Sequence, residues 1–377
     1  MAGSVILTSP LKTMVPIIKI VGNFCNLRCQ YCFYREQRQS SPQVMNDELL
    51  EKFISQYMSL FSGKLFFIWH GGEPLLAGLS FFQKIIYLQK KYLKKGQIVK
   101  NAVQTNATLI NDNWAKFFQL NGFQVGVSLD GDEESHNRFR KNANRKGSFK
   151  IAVNGIKILR QYGIEPGIIQ TLTRANLSKA AINFDFFTND LGLKSFGVNY
   201  FFSPNKEEKF VKNQSISCKE LTSFFKIYID KWLNLNNDKI RIREIDNFIA
   251  GAIGKQSPSC AFNGSCTGYF CLEYDGKVYP CDRLPYKDEF LFGDLSNQSL
   301  LEILNSSKRL IYAQNVNSSH LDCLKCQWQK ACHNGCPADR KGGVKGKYYF
   351  CETRKEFFSC FDKKILNSNN RKEVSVL

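Results

Sequence analysis

The sequence predicts an α/β protein: a partial, TIM-like (β/α)6 barrel followed by a Cys-rich C-terminal domain. Three observations predict it. Six strand-like apolar runs alternate with helical patterns over the first two hundred residues. Several of those runs end in polar or glycine-bearing turns. The cysteines concentrate in one short N-terminal run and in the last third of the chain. Repeated strand–helix units argue for parallel pairing with right-handed crossovers. In such an architecture the loops at the C-terminal ends of the strands carry the site.

The first strand is expected at residues 15–21, an apolar run interrupted by Lys19. Further strands are expected at 64–69, 98–105, 124–129, 166–172 and 195–201. The helix over 46–61 opens with Asn46 as a cap and with Asp47 and Glu48 in its first turn, which suits the helix dipole. Other helices are expected at 79–95, 112–121, 148–162 and 178–191. Residues 203–217 are polar and charged and read as a linker, and two helices near 221–234 and 241–253 bridge to the Cys-rich end. The expected division is therefore 1–202 for the barrel, 203–257 for the linker and bridge, 258–352 for the Cys-rich domain and 353–377 for a C-terminal helix and tail.

A chain of 377 residues is long enough for two domains with a sizeable core. No apolar run approaches the roughly 18 residues a membrane span requires, and the N-terminus lacks the features of a signal peptide. Fourteen cysteines without an export signal point to metal or redox chemistry in a reducing, cytoplasmic setting, not to a disulfide framework. The formal net charge of +19 raises the question of nucleic acid. No recognition motif accompanies it, and lysine runs such as Lys90-Lys91 and Lys94-Lys95 fall on helical patterns as solvated faces. Neither a nucleic-acid nor a membrane partner is expected.

Cys25, Cys29 and Cys32 form a C-x3-C-x2-C run with Tyr31 before the last Cys. Zinc would want a fourth Cys or His close by, and the nearest His is His70. Three thiolates suit a [4Fe–4S] cluster with one iron open to another ligand. The run resembles the hallmark of the radical S-adenosylmethionine (SAM) enzymes. That resemblance implies that the open iron chelates SAM and that one electron cleaves SAM to a 5′-deoxyadenosyl radical. It places Tyr31 among the cofactor-binding residues. The second strand runs into His70-Gly71-Gly72-Glu73-Pro74, which is similar to the family's G-G-E-P motif. By resemblance, Gly71, Gly72 and Glu73 receive the SAM amino group, and His70 faces the substrate. Ser128 and Asp130, at the end of the fourth strand, are implied beside the SAM ribose. Arg140 is a candidate for the SAM carboxylate, because Arg grips carboxylates bidentately; a basic surface loop is the competing reading. Tyr34, two residues past the triplet, is expected to line the substrate pocket.

At the far end, Cys266-x9-Gly276-x4-Cys281 is followed by Cys323-x2-Cys326-x5-Cys332-x3-Cys336 and by Cys351, with Cys260 upstream. Cys-x2-Cys pairs also suit structural zinc. The whole pattern resembles the SPASM domain. The resemblance implies two further [4Fe–4S] clusters: one held by Cys260, Cys266, Cys281 and Cys336, the other by Cys323, Cys326, Cys332 and Cys351. Cys218, Cys271 and Cys360 are left over, with Cys271 a rival ligand.

Asp282 follows Cys281 directly. Together with Cys32-Phe33-Tyr34, Gln104-Thr105-Asn106, Thr108-Leu109-Ile110 and Lys355-Glu356-Phe357-Phe358, it extends the resemblance to the anaerobic sulfatase-maturating enzymes. In that family the matching Asp is the general base. His70 departs from the Gln common there, and Ala107 from the frequent Gly. The implied activity is radical oxidation of a Cys or Ser in a sulfatase peptide to Cα-formylglycine, with SAM and three [4Fe–4S] clusters. The implied partners are an unfolded sulfatase peptide and a flavodoxin- or ferredoxin-like electron donor. The alternative is a SPASM maturase that forms thioether or carbon–carbon links in a ribosomal peptide. Such enzymes often carry a leader-binding domain ahead of the barrel, and a first strand near Val15 leaves no room for one.

Overall fold

The computed structural model describes residues 13–202, 208–284 and 287–367. Strands and helices alternate from the start: β1 (Val15–Lys19), α1 (Asp47–Leu60), β2 (Lys64–Trp69), α2 (Leu79–Lys91), β3 (Ile98–Thr105), α3 (Asp112–Leu120), β4 (Gln124–Ser128), α4 (Glu133–Phe139), α5 (Phe149–Gln161), β5 (Gly167–Leu172), α6 (Ala180–Asp185) and β6 (Ser195–Tyr200). All five pairings from β1 to β6 are parallel, with Ile17 opposite Ile68, Leu65 opposite Val99 and Ile168 opposite Phe196. This is the partial barrel that the strand–helix alternation predicts.

The first helix shows why the elements form where they do. Asn46 Oδ1 accepts the Leu49 amide at 2.8 Å, satisfying one of the orphan donors of the first turn. Leu49, Leu50, Phe53, Ile54, Tyr57 and Met58 then recur at helical spacing and are buried. Phe53 and Tyr57 pack on Phe67 of β2 with ring centroids 6.1 and 4.9 Å apart. Each fully buried side chain of this size stabilises the fold by about 1.5–3 kcal/mol. Along β2, Leu65, Phe67 and Trp69 are buried among the helices, and Phe66 and Ile68 alternate with them on the other face.

The chain continues through α7 (Lys209–Gln214), α8 (Cys218–Leu235), β7 (Arg241–Ile242), α9 (Arg243–Ala252), α10 (Cys260–Asn263), β8 (Tyr269–Glu273), β9 (Lys277–Tyr279), β10 (Gly293–Asp294), α11 (Leu300–Leu304), α12 (Ser307–Asn317), α13 (Leu321–Leu324), α14 (Gln329–Cys332), β11 (Arg340–Lys341), β12 (Lys347–Tyr348) and α15 (Cys351–Asn367). Here the structure departs from the sequence reading in three places. The expected linker contains α7, although its residues 203–207 lie outside the described set. The expected helix over 178–191 is α6 followed by a wider π turn at Phe186–Asp190. Most consequential, β8 pairs parallel with β1 and carries β9 and β10 antiparallel beyond it. The sheet order is β10-β9-β8-β1-β2-β3-β4-β5-β6-β7, so the Cys-rich region shares the barrel's sheet. The strands involved are short, and nothing in their own pattern announces a partner more than two hundred residues away. Among the described residues, no helix is long and apolar enough to cross a membrane.

Candidate active site and cysteine clusters

Cys25, Cys29 and Cys32 sit on the loop that follows β1, at the C-terminal end of the strands. The loop is fixed from several sides. The Leu27 amide reaches Cys25 Sγ at 3.3 Å, and Arg28 Nη1 donates to the Cys25 carbonyl at 2.5 Å. Asn106, at the end of β3, donates to Asn26 Oδ1 at 2.9 Å and reaches Cys25 Sγ at 3.7 Å. Burial and the neighbouring Glu73 push the Cys25 thiol up to about 12, and burial pushes Cys29 up to about 11. Cys25 and Cys29 therefore resist ionisation on their own, and a bound cationic iron group would relieve them. The donor set fits such a group.

Beneath this loop lies Gly71-Gly72-Glu73. Gly72 has φ +50°, and a Cβ there would stand 2.0 Å from the Phe24 carbonyl oxygen, so the cluster loop itself requires glycine. The Glu73 amide donates to that same carbonyl at 2.9 Å. The Glu73 carboxylate is 1% exposed and accepts from Thr105 Oγ1 at 2.7 Å and from the Asn106 and Leu75 amides at 2.8 and 3.2 Å. Burial still raises its pKa to about 7. A buried carboxylate in this condition is a fit for an ammonium group.

The remaining residues expected at SAM are placed differently from one another. Ser128 Oγ accepts from Gln104 Nε2 at 3.0 Å at the barrel mouth. Asp130 is fully engaged within the protein. Its Oδ1 takes the Thr171 amide at 2.9 Å, its Oδ2 takes the Tyr31 hydroxyl, and the same oxygen stands 3.0 Å from Arg140 Nε in an ion pair that leaves Nε without a hydrogen bond. Arg140 is buried at the end of α4, with its guanidinium 5.4 Å from the Tyr31 ring centroid, so it is not part of a basic surface loop. Tyr31, Asp130 and Arg140 together tie the cluster loop to β4 and β5.

On the other side of the mouth, residues from both halves of the chain converge. The Tyr34 hydroxyl donates to Asp282 Oδ2 at 3.4 Å, and His70 Nδ1 stands 3.7 Å from the same oxygen. Cys281 Sγ donates to Asp282 Oδ1 at 3.1 Å. Burial would raise the Asp282 carboxyl, but His70, Cys281, Arg283 and Lys19 hold it below the usual carboxylate range. Burial lowers His70.

Lys19, not singled out by sequence as a site residue, organises this corner. It is fully buried at the end of β1, opposite Glu273 in the β1–β8 register. Its ammonium donates to Glu273 Oε1 and Asn23 Oδ1 at 2.6 Å each and lies 4.0 Å from the Tyr34 ring centroid. The visible signal was the single Lys interrupting the apolar first strand.

The C-terminal cysteines separate into two groups. Cys260, Cys266, Cys281 and Cys336 interact with one another. Burial pushes Cys260 up to about 11 and Cys336 up to about 12. Around them, Tyr312 Oη lies 3.3 Å from Cys266 Sγ, and Arg283 Nη1 donates to Cys336 Sγ at 3.4 Å. Asp339 pairs with Arg283 at 2.7 Å. Cys323, Cys326, Cys332 and Cys351 line a second recess with Arg354 and Tyr348. Each group offers four thiols, enough for a fully ligated [4Fe–4S] cluster. Cys271 is buried on β8 beside Ile17 and Tyr279, and Cys218 Sγ donates to the Tyr349 carbonyl at 3.0 Å. None of the fourteen cysteines forms a disulfide.

Comparison with known proteins agrees with this layout. The Radical SAM superfamily profile matches residues 19–176, and the SPASM iron–sulfur cluster-binding domain matches residues 260–336. A cysteine-type anaerobic sulfatase-maturating enzyme of Clostridium perfringens is 32% identical over 363 residues, covering 94% of this chain and 98% of the relative. A serine-type anaerobic sulfatase-maturating enzyme of Bacteroides thetaiotaomicron is 31% identical over 92% of this chain and 89% of its own. The solved structure of native anSMEcpe with bound AdoMet and Cp18Cys peptide superposes with a TM-score of 0.85 at 33% identity, covering 94% of this chain and 98% of that one.

Proposed function

Because the chain belongs to the anaerobic sulfatase-maturating enzymes of the radical SAM superfamily, we propose that it oxidises a Cys or Ser residue of a sulfatase peptide to Cα-formylglycine. The observation that carries this reading is the convergence on one point of Asp282, from the C-terminal half, with Tyr34 and His70, from the barrel loops.

When bound, SAM and the first cluster supply the one-electron chemistry that removes a hydrogen atom from the substrate Cβ. In this reading Cys25, Cys29 and Cys32 hold that cluster. Glu73 would receive the SAM amino group, with Gly71 and Gly72 shaping the backbone around it, and Ser128 would face the ribose. Arg140 and Asp130, engaged with each other, hold Tyr31 and the loop in place. This reassigns Asp130 and Arg140 from direct SAM contacts to positioning.

Asp282 accepts the thiol or hydroxyl proton of the substrate. Its carboxylate is held low, so it is ionised throughout the neutral range and ready to accept. A weakly basic carboxylate takes this proton only as it becomes acidic, when the C=S or C=O bond forms. Tyr34 orients the carboxylate, and His70 lies on the substrate side. The eight C-terminal cysteines would hold two further clusters, which would supply a path for the surplus electron. A flavodoxin- or ferredoxin-like protein supplies the reducing electron, in a cytoplasmic setting that keeps the thiols reduced.

The test is anaerobic. The reconstituted protein is given SAM, dithionite and a peptide bearing Cys-x-Pro-x-Arg. The expected products are 5′-deoxyadenosine and a peptide whose mass matches formylglycine. 5′-Deoxyadenosine with an unchanged sulfatase peptide would overturn the substrate assignment and point to the cross-linking of another ribosomal peptide.

A further inference from the structure

The recess bounded by Cys323, Cys326, Cys332 and Cys351 contains one polar group that the activity does not account for. Arg354 lies three residues after Cys351, in the first turn of α15, and is 2% exposed. Two rings hold its guanidinium: the Phe262 centroid at 3.7 Å and the Tyr348 centroid at 4.3 Å. Nη1 donates to the Ala261 carbonyl at 2.7 Å and reaches the Cys332 carbonyl and Sγ at 3.3 and 3.5 Å. Nη2 is buried without a hydrogen-bond partner. A rigid guanidinium with an orphaned donor, lining a pocket of four thiols, is built for an anionic group in that pocket.

The other C-terminal group of cysteines also has arginines beside it: Arg340, 2% exposed, lines a recess with Cys260 and Cys266 and donates to the Asn334 and Val316 carbonyls. Arg283 reaches Cys336 Sγ there, but its charge is matched by Asp339 at 2.7 Å. The interaction partners of Arg354 among the described residues are rings, carbonyls and sulfur, not a carboxylate.

We propose that Arg354 is the counter-cation and hydrogen-bond donor of the cluster held by Cys323, Cys326, Cys332 and Cys351, and that it raises that cluster's reduction potential. The inference rests on the ligand assignment given above. A [4Fe–4S] group with four thiolates is anionic, and its one-electron reduction adds a further negative charge. A fixed cation and an N–H donor favour the reduced form more than the oxidised one, so the potential rises.

The experiment is an anaerobic redox titration followed by electron paramagnetic resonance, with iron counted in each sample, on the wild type and on the R354M, R354Q and R354K variants. At equal iron content, R354M is expected to move one auxiliary midpoint to a more negative potential, and R354K is expected to lie between R354M and the wild type. Unmoved midpoints in R354M at full iron would overturn the inference. If R354M loads less iron, the comparison passes to R354Q and R354K. R354Q is expected to be the more negative of the two, and equal midpoints in R354Q, R354K and the wild type would overturn the inference. A wild type holding about eight irons instead of about twelve would overturn the ligand assignment, and the inference with it.

Discussion

At the scale of single residues, two carboxylates show how burial divides labour. Asp282 and Glu73 both lie at the mouth of the barrel. Asp282 has His70, Arg283 and Lys19 around it and stays ionised. Glu73 has hydrogen bonds but no cation, and its pKa climbs to about 7. The Asp282→Asn variant should therefore retain its iron and still cleave SAM, while peptide oxidation falls by about 10²–10⁴-fold, the usual range for losing a general base. Chromatography of 5′-deoxyadenosine beside peptide mass spectrometry separates the two activities, and full peptide turnover would exclude Asp282 as the base. For Glu73 the sign runs the other way. The folded protein keeps this proton when the unfolded chain has lost it, so the associated stability is present below about pH 4.5 and lost as pH rises through about 7. A hydrogen-bond donor brought opposite Glu73 by SAM would draw the proton off. SAM binding near pH 7 should thus release more protons in the wild type than in Glu73→Gln, seen as a larger difference in heat between two buffers of unequal ionisation enthalpy. Equal proton release by the two proteins would place the SAM amino group elsewhere.

At the scale of elements, the informative junction is β1 against β8. Most elements were legible from sequence: α1 from its Asn46 cap and helical apolar stripe, and β2 from its alternation before Gly71 and Gly72. The β1–β8 pairing was not, because a five-residue strand at 269–273 does not record its partner, and parallel neighbours more than two hundred residues apart leave no turn signal. That pairing places Lys19 on Glu273 and so brings Tyr34 to Asp282. Lys19→Met would take the cation away from a buried carboxylate, at a cost of about 3–5 kcal/mol. Thermal unfolding should show a large loss for Lys19→Met and a recovery in the Lys19→Met, Glu273→Leu double variant. A single variant as stable as the wild type would mean that the ion pair does not hold the junction.

At the scale of the whole molecule, the barrel strands and the first strands of the Cys-rich region form one ten-stranded sheet, and the remaining cysteines sit on short helices beside a separate two-stranded sheet. The cysteine spacings carried most of this in advance, since thiols at fixed intervals constrain which loops must meet. The structure brings the C-terminal thiols into one region, with Cys323 lining recesses shared with Cys260 and Cys266 on one side and with Cys326, Cys332 and Cys351 on the other. The buried arginines around them had no such signal, because a guanidinium reaches a sulfur from whatever element happens to pass by. Asp130 and Arg140 read as ligand contacts for the same reason: each residue type suits a ligand, and only the fold reveals that they also pair with each other. The central claim is that this assembly takes a hydrogen atom from the Cβ of a Cys or Ser in a sulfatase peptide. The most direct test uses a sulfatase peptide deuterated at the Cβ of that residue. The prediction is 5′-deoxyadenosine carrying deuterium, formed together with formylglycine. 5′-Deoxyadenosine without deuterium, beside an unoxidised peptide, would contradict it.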